Sequence, residues 1–264
     1  MIWDDYPKKI TPEDHVKHCP IIADVEEVMI KTSVGHEVEL ERLGLYYILQ
    51  GVYSVYLDVY EKEIFEEKRL LLPYQRYIEN SMNTYWAIVD LTCGAYFNAA
   101  QMLRLIFENA LQTLYISSIC NKYDEQLKMI EEGFTIKGEK VRGFRFLVID
   151  EISKRYAWFD REVRRKARRL YGKLSKRTHA SVYRLRGIWS LKHDRKMYFF
   201  SYDNREFNVL LRLFEEVVEF NFAFLAQAFP RAFDSFVGGI SVKDRDILPL
   251  DLAKKARRHT SPSL

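Results

Sequence analysis

The chain has 264 residues, and its composition indicates a folded protein with a sizeable core. Hydrophobic residues make up 48% of the sequence and aromatic residues 14%, which excludes an intrinsically disordered chain. The formal net charge of +4 excludes a histone-like polycation but leaves room for a local basic surface. Three cysteines without a Cys-x-x-Cys pair indicate neither a disulfide scaffold nor a zinc ribbon.

The hydropathy pattern and the first residues predict a cytoplasmic protein without a membrane anchor. Residues 1–6 are acidic where a secretory signal would be basic. Charged residues such as Asp58 and Arg104 interrupt the apolar stretches well short of the ~20 residues that a membrane span needs. The few, widely spaced cysteines also fit a reducing compartment.

In chain order, the pattern predicts an all-α protein. Eleven glycines and seven prolines leave few breaks, and apolar residues recur mostly at helical spacing. We predict an N-terminal arm over 1–35, one helical bundle domain over 36–230 and a mobile C-terminal tail over 231–264. Helices are expected at about 36–70, 74–92, 96–120, 124–132, 160–181 and 203–229. A loop with Gly138 and Gly143 is expected to lead to an apolar turn at 144–152, and a small extended or hairpin insertion is expected near 187–202.

The central predicted helix, 96–120, carries one polar stripe on an otherwise apolar surface. Gln101, Arg104, Glu108 and Gln112 follow one another at steps of three, four and four residues, which places them on one face of a helix. We expect this stripe to face water or a polar site.

A basic segment over 154–186 is the strongest physical feature of the sequence. It contains thirteen lysines and arginines against two carboxylates, Asp160 and Glu162, so the remainder of the chain is net acidic. The pattern predicts a phosphate-attracting face on the helix over 160–181. The candidate nucleic-acid contacts are Arg161, Arg164, Arg165, Arg168, Arg169, Lys173, Lys176 and Arg177.

Aromatic residues interleave with these charges, which favours single-stranded RNA over duplex DNA as the partner because rings stack on unpaired bases. The aromatic candidates are Tyr156, Trp158, Tyr171 and Tyr183. The alternative is a solvated helix face that pairs with the acidic remainder of the chain or with a partner subunit.

His179 is the candidate for acid–base chemistry. It follows Ser175 by one helical turn and Tyr171 by two, so an imidazole and a hydroxyl can approach one phosphate beside the cations. A histidine can take the proton of a 2′-hydroxyl or protonate the leaving oxygen, while an arginine stabilises the charge that develops on phosphorus. The alternative is a structural histidine that bonds the Arg104 and Glu108 row of the central helix.

Two motifs resemble a known family. The run Tyr171-x-x-Leu174-Ser175-x-x-x-His179-x-Ser181, preceded by the alanine-rich Leu103-Arg104-x-x-x-Glu108 helix, resembles prokaryotic helical proteins in or near the HEPN superfamily, over about 80–225. This resemblance implies a helical bundle, commonly dimeric. Many members cleave RNA in defence, toxin or abortive-infection systems, and others bind nucleotides or RNA. By resemblance, the catalytic candidates are Arg104, Glu108, Tyr171, Ser175 and His179.

Two hypotheses about function follow. The ribonucleolytic members carry Arg-x4–6-His, and here Lys173, not an arginine, stands at that distance before His179. The chain is therefore either an RNA-directed protein that acts as a metal-independent endoribonuclease, or a non-catalytic nucleic-acid-binding or scaffold protein with a structural polar cluster. No cofactor or metal is expected, because His15, His18 and Cys19 are too few for a structural zinc site.

Overall fold

Residues 20–178 and 202–259 are described by a computed structural model, and they are almost entirely helical. The predicted all-α fold class is confirmed: this part of the chain forms twelve α-helices, one 3-10 helix at Lys68–Leu70 and one short β-hairpin. The elements are α1 (Pro20–Gly35), α2 (Glu37–Asp58), α3 (Glu61–Glu66), α4 (Leu71–Thr92), α5 (Tyr96–Ile119), α6 (Tyr123–Glu132), β1 (Phe134–Ile136), β2 (Glu139–Val141), α7 (Phe146–Arg155), α8 (Arg161–Thr178), α9 (Asn204–Ala228), α10 (Pro230–Gly239), α11 (Val242–Ile247) and α12 (Asp251–His259). Among them, no helix combines the length and the hydropathy of a membrane span.

The core lies around α5 and α9, which pack against each other. Both helices are apolar on most of their surface, as expected for helices that are covered on several sides. α5 also contacts α4, α7 and α8, and α9 also contacts α10 and α12. The rings of Phe107 on α5 and Phe220 on α9 meet edge to face with centroids 5.2 Å apart, a geometry that aromatic pairs prefer.

Three asparagines form a hydrogen-bonded chain inside this core, one each on α4, α5 and α9. Asn80 Nδ2 donates to Asn221 Oδ1 at 2.8 Å, and Asn109 Nδ2 donates to Asn80 Oδ1 at 3.1 Å. All three side chains are buried. These two hydrogen bonds offset the free-energy cost of burying the amide groups that they join, whereas Asn221 Nδ2 is buried without a hydrogen-bond partner in the described structure.

Helix α8 begins at a side-chain cap and buries one stripe. Asp160 Oδ1 accepts hydrogen bonds from the backbone N–H groups of Glu162 and Val163, both at 3.1 Å, which is a standard N-cap arrangement. Val163, Ala167, Leu170 and Leu174 are buried against α5, α7 and α9. The helix was expected over 160–181, and its last described residue is Thr178.

The first third of the chain differs from the sequence prediction. Residues 20–35 of the expected arm form helix α1, because Val28 and Thr32 are buried where α1 packs on α2 and α4. The single helix expected over 36–70 is divided after Asp58 and again after Glu66. The short helix between the two breaks buries Ile64, so the packing of this side chain explains why the chain does not continue as one helix.

The C-terminal region also differs, because residues 230–259 fold as α10, α11 and α12 where a tail was expected. Phe236 of α10 and Leu252, Ala253 and Ala256 of α12 are buried, and α12 packs along α9. Short helices of this kind become stable through packing, not through intrinsic propensity.

A β-hairpin occupies 134–141, where the sequence analysis expected a loop. β1 and β2 pair antiparallel with Phe134 opposite Val141. Lys137 and Gly138 form the turn with φ values of 50° and 82°, and two positive φ angles in a row are the geometry of a tight hairpin turn. The extended insertion expected near 187–202 lies, except for Tyr202, outside the described residues.

Candidate nucleic-acid interface

One side of α8 is held to α9 by ion pairs, and we call this side the inner flank. Its three cations each meet a glutamate of α9, and Lys173 Nζ lies 2.9 Å from Glu216 Oε1. The glutamate side chains are between 13% and 32% exposed, so these pairs are partly shielded from water. The pairs are Lys166–Glu219, Lys173–Glu216 and Arg177–Glu206.

The opposite side of α8 contacts α7. Arg168 forms an ion pair with Asp150 of α7, and its guanidinium lies 5.8 Å from the centroid of the Phe146 ring. Phe146 itself is 44% exposed. Arg168 therefore stacks near an exposed ring while Asp150 neutralises its charge.

Between these two sides, α8 presents a row of cations to solvent, which we call the outer face: Arg161, Arg165 and Arg169. They recur every four residues, so each lies about 6 Å further along the helix axis than the one before. All three are exposed. Within the described part of the chain, neither they nor the half-buried Arg164 form an ion pair with a carboxylate. Lys176 follows on the same face.

A polar cluster joins the C-terminal end of α8 to α5. Arg104 Nε donates to Glu108 Oε1 at 2.6 Å, and Arg104 Nη1 donates to Thr178 Oγ1 at 2.7 Å. The same guanidinium lies 5.6 Å from the centroid of the Tyr171 ring. Arg104 and Glu108 are only 21% and 18% exposed. Charge-assisted hydrogen bonds therefore fix this arginine between two helices.

The remaining catalytic candidates are placed as follows. Tyr171 is buried, and its hydroxyl donates to the Phe144 carbonyl oxygen at 3.3 Å. Ser175 lies one turn further along α8, and its Oγ is buried without a hydrogen-bond partner in the described structure. His179 directly follows Thr178 in sequence and lies outside the described residues. Arg104, Glu108 and Tyr171 are thus brought together.

Thr178 is a member of the polar cluster that the sequence analysis missed. Its hydroxyl accepts from Arg104 and donates to the Leu174 carbonyl oxygen at 3.2 Å. Its position seven residues after Tyr171 places it on the same face of α8, and this spacing is the signal that could have identified it.

The aromatic residues proposed for base stacking are mostly unsuited to that role. Trp158 and Tyr171 are buried in the core, and the Tyr156 hydroxyl donates inward to the Leu114 carbonyl oxygen at 2.9 Å. Burial raises the pKa of Tyr156 to about 12. Tyr183 lies outside the described residues. Phe146 is the exposed ring beside α8, and the sequence analysis did not select it.

The N-terminal end of α8 is bonded to the C-terminal helix α12. Asp160 Oδ2 accepts a hydrogen bond from Lys255 Nζ at 2.6 Å, while Oδ1 caps α8. The Lys255 ammonium, together with the Val163 N–H, lowers the pKa of Asp160 below its usual value. Lys255 of α12 therefore lies next to the beginning of the outer face.

The described residues hold no group of three or more histidine, cysteine, aspartate or glutamate side chains arranged to bind a metal ion. His15, His18 and Cys19 lie outside them. The chain has no match among protein-family models, curated proteins or solved structures.

Proposed function

We propose that this chain is an RNA-directed protein of HEPN-like type that binds single-stranded RNA along the outer face of α8. One observation carries the proposal: the cations of the inner flank are paired with glutamates, whereas Arg161, Arg165 and Arg169 are exposed and form no ion pair within the described residues. A charge that the fold does not neutralise is available to a partner.

Arginine suits this role because its planar guanidinium forms bidentate hydrogen bonds with phosphate oxygens. Three such groups along one helix match a ligand that repeats its charge along a line, which a polynucleotide backbone does. Displacement of counterions from the backbone then supplies much of the binding free energy.

Single-stranded RNA is favoured over duplex DNA because an exposed ring stands beside the cations. Phe146 lies next to Arg168 at the edge of α8 and is 44% exposed. An unpaired base can stack on this ring, and stacking is worth roughly 1–3 kcal/mol per base in single-strand binders. A duplex keeps its bases stacked inside and gains nothing from such a ring.

The test is fluorescence anisotropy with labelled single-stranded RNA and a matched DNA duplex over a series of salt concentrations. Three phosphate contacts predict that log K falls against log[salt] with a slope of about −2 or steeper for a single strand. Arg165→Glu/Arg169→Glu should weaken binding on the order of 100-fold, because two contacts become repulsive.

The matched control is Lys68→Glu/Lys140→Glu, which reverses two exposed charges outside the outer face. This variant should bind RNA within about twofold of the wild type if location matters more than net charge. An affinity independent of salt, or an equal loss in both double variants, would contradict the proposal.

As a second candidate function we propose metal-independent cleavage of the bound RNA at the polar cluster. The observation that favours it is the 2.7 Å hydrogen bond from Arg104 to Thr178, because Thr178 immediately precedes His179. In this scheme His179 takes the proton of a 2′-hydroxyl, whose oxygen attacks phosphorus and forms a 2′,3′-cyclic phosphate. The bond from phosphorus to the 5′-oxygen breaks, and the expelled 5′-oxygen takes a proton from water. Arg104, oriented by Glu108, stabilises the charge on phosphorus.

Cleavage is tested by incubating RNA in EDTA with the wild-type protein, His179→Ala and the control His259→Ala. We expect cleavage by the wild type and by His259→Ala but not by His179→Ala, with equal melting temperatures for all three. No cleavage by the wild type contradicts the catalytic proposal and leaves the binding proposal to its own test.

A further inference from the structure

An open cavity of about 440 Å³ lies among α10, α11 and α12, away from the polar cluster. Phe233 and Val237 of α10 contribute apolar surface to it. Its charged lining consists of four cations and one carboxylate, Asp234. The cations are Arg245, Lys254, Arg257 and Arg258.

The carboxylate does not offset the remaining cations, because Arg257 already neutralises it. Arg257 Nε and Nη2 donate to the two carboxylate oxygens of Asp234 at 2.9 and 2.6 Å, which is a bidentate pair. This contact raises the pKa of Arg257. Arg245, Lys254 and Arg258 therefore give the cavity a net positive charge.

These three cations line the same cavity. Arg245 Nε and Nη2 donate to the Ile240 carbonyl oxygen at 3.3 and 3.1 Å, which fixes the position of its guanidinium. Lys254 and Arg258 stand one turn apart on α12 and are exposed. Neither forms an ion pair within the described residues. A fixed arginine with two exposed cations suits a phosphate group.

The cavity lies beside the RNA surface proposed above. Lys255, which follows Lys254 on α12, binds the N-cap residue Asp160 of α8, and Arg161 of the outer face follows Asp160 directly in sequence. Because an α-helix with its side chains is about 10–12 Å wide, Lys254 and Arg258 of α12 lie within about one helix width of this junction.

We propose that the cavity binds a phosphate group of the same RNA strand that the outer face of α8 holds. The RNA surface then extends over two helices, α8 and α12, and the Lys255–Asp160 contact fixes the position of α12 relative to α8. This inference rests on the proposed function, and it assigns a ligand to a region for which the sequence pattern predicts only a tail.

The test measures RNA binding by Lys254→Gln/Arg258→Gln. Loss of two phosphate contacts should reduce the steepness of log K against log[salt] by about 1.4 for a single strand, with affinity about tenfold lower at low salt. The melting temperature should stay unchanged, because both side chains are exposed. The matched control, Lys68→Gln/Lys140→Gln, should keep the wild-type slope.

The outcomes separate this inference from the proposed function. If Arg165→Glu/Arg169→Glu loses RNA binding while Lys254→Gln/Arg258→Gln keeps the wild-type slope, the cavity is not part of the RNA surface, and α8 alone binds. If the wild type binds no RNA, both proposals fail. Calorimetry with pyrophosphate adds a third arm: binding that the cavity variant loses, with unaltered RNA affinity, assigns the cavity to a small phosphate ligand and overturns the inference.

Discussion

The inner flank and the outer face of α8 have similar sequences and different surroundings. Lys166, Lys173 and Arg177 each meet a glutamate of α9, whereas Arg161, Arg165 and Arg169 face solvent. The charge excess of the segment therefore divides into a part that holds the bundle together and a part that is left for a partner. A count of charges along the sequence does not distinguish the two parts.

The largest expected effect comes from reversing charge on the α9 side of the inner flank. Glu216→Lys/Glu219→Lys places four cations together in a partly shielded layer, so we expect the free energy of unfolding to fall by about 3 kcal/mol. Urea unfolding measures this change in the free energy of unfolding. Arg165→Glu/Arg169→Glu, with the same number of reversals on the outer face, should stay within about 0.5 kcal/mol of the wild type. Equal losses of unfolding free energy in the two variants would show that the inner flank and the outer face do not differ in their contribution to stability.

A second, smaller effect is expected at the polar cluster. Arg104→Ala leaves the Glu108 carboxylate, 18% exposed, without this partner, and a half-buried charge of this kind should lower the free energy of unfolding by about 2 kcal/mol. Thermal melts measure the loss of stability, and fluorescence anisotropy with labelled RNA on the same samples measures the affinity for RNA. If the polar cluster is structural, the affinity of Arg104→Ala for RNA is unchanged, and Arg161→Ala shows the reverse pattern. Weaker RNA binding by Arg104→Ala would contradict a purely structural role and would place Arg104 in contact with the phosphates, as the cleavage scheme requires.

The smallest expected effect concerns the Asp160–Lys255 contact and depends on pH. The folded-state pKa of Asp160 lies below the ordinary value of 3.8, so its ionised form stabilises the fold above about pH 4, and this contribution is lost as pH falls through the lower, folded value. Asp160→Asn keeps the N-cap and removes the charge. At neutral pH it should cost less than about 0.5 kcal/mol, because the pair is exposed.

The control for this prediction is Asp160→Ala, which also removes the cap and should cost about 1 kcal/mol at neutral pH. The measurement is urea unfolding at neutral pH and at pH 3. The difference between wild type and Asp160→Asn should shrink at pH 3, and a difference that grows there would contradict the assigned direction of the pKa shift.

Several features could be predicted from the sequence because they depend on near neighbours. The α9 cap at Asp203, which accepts from the backbone N–H groups of Arg205 and Glu206, follows from a three-residue spacing. The Arg104–Glu108 pair follows from an i, i+4 spacing on one helix. The polar stripe of α5 is therefore a local property of the chain.

Other features needed the tertiary structure. Lys166 and Glu219 are separated by 53 positions, and nothing in the composition of either helix selects this pairing. Helices α10 to α12 are short and charged, so their stability depends on packing, and Leu252 and Ala256 of α12 are buried where this helix lies along α9. The position of Phe146 at the protein surface likewise follows from how α7 packs on α8.

The three buried asparagines have a consequence for the charged surface far from them. Apolar side chains tolerate many alignments of two helices, but a slip of α9 by one turn, about 5.4 Å, would separate Asn221 from Asn80 and leave amides unpaired at a cost of about 1–3 kcal/mol each. The hydrogen bonds among the asparagines thus fix the alignment of α4, α5 and α9 along their axes. Because the inner-flank glutamates belong to α9, this alignment determines which cations of α8 are neutralised and which are presented to a ligand.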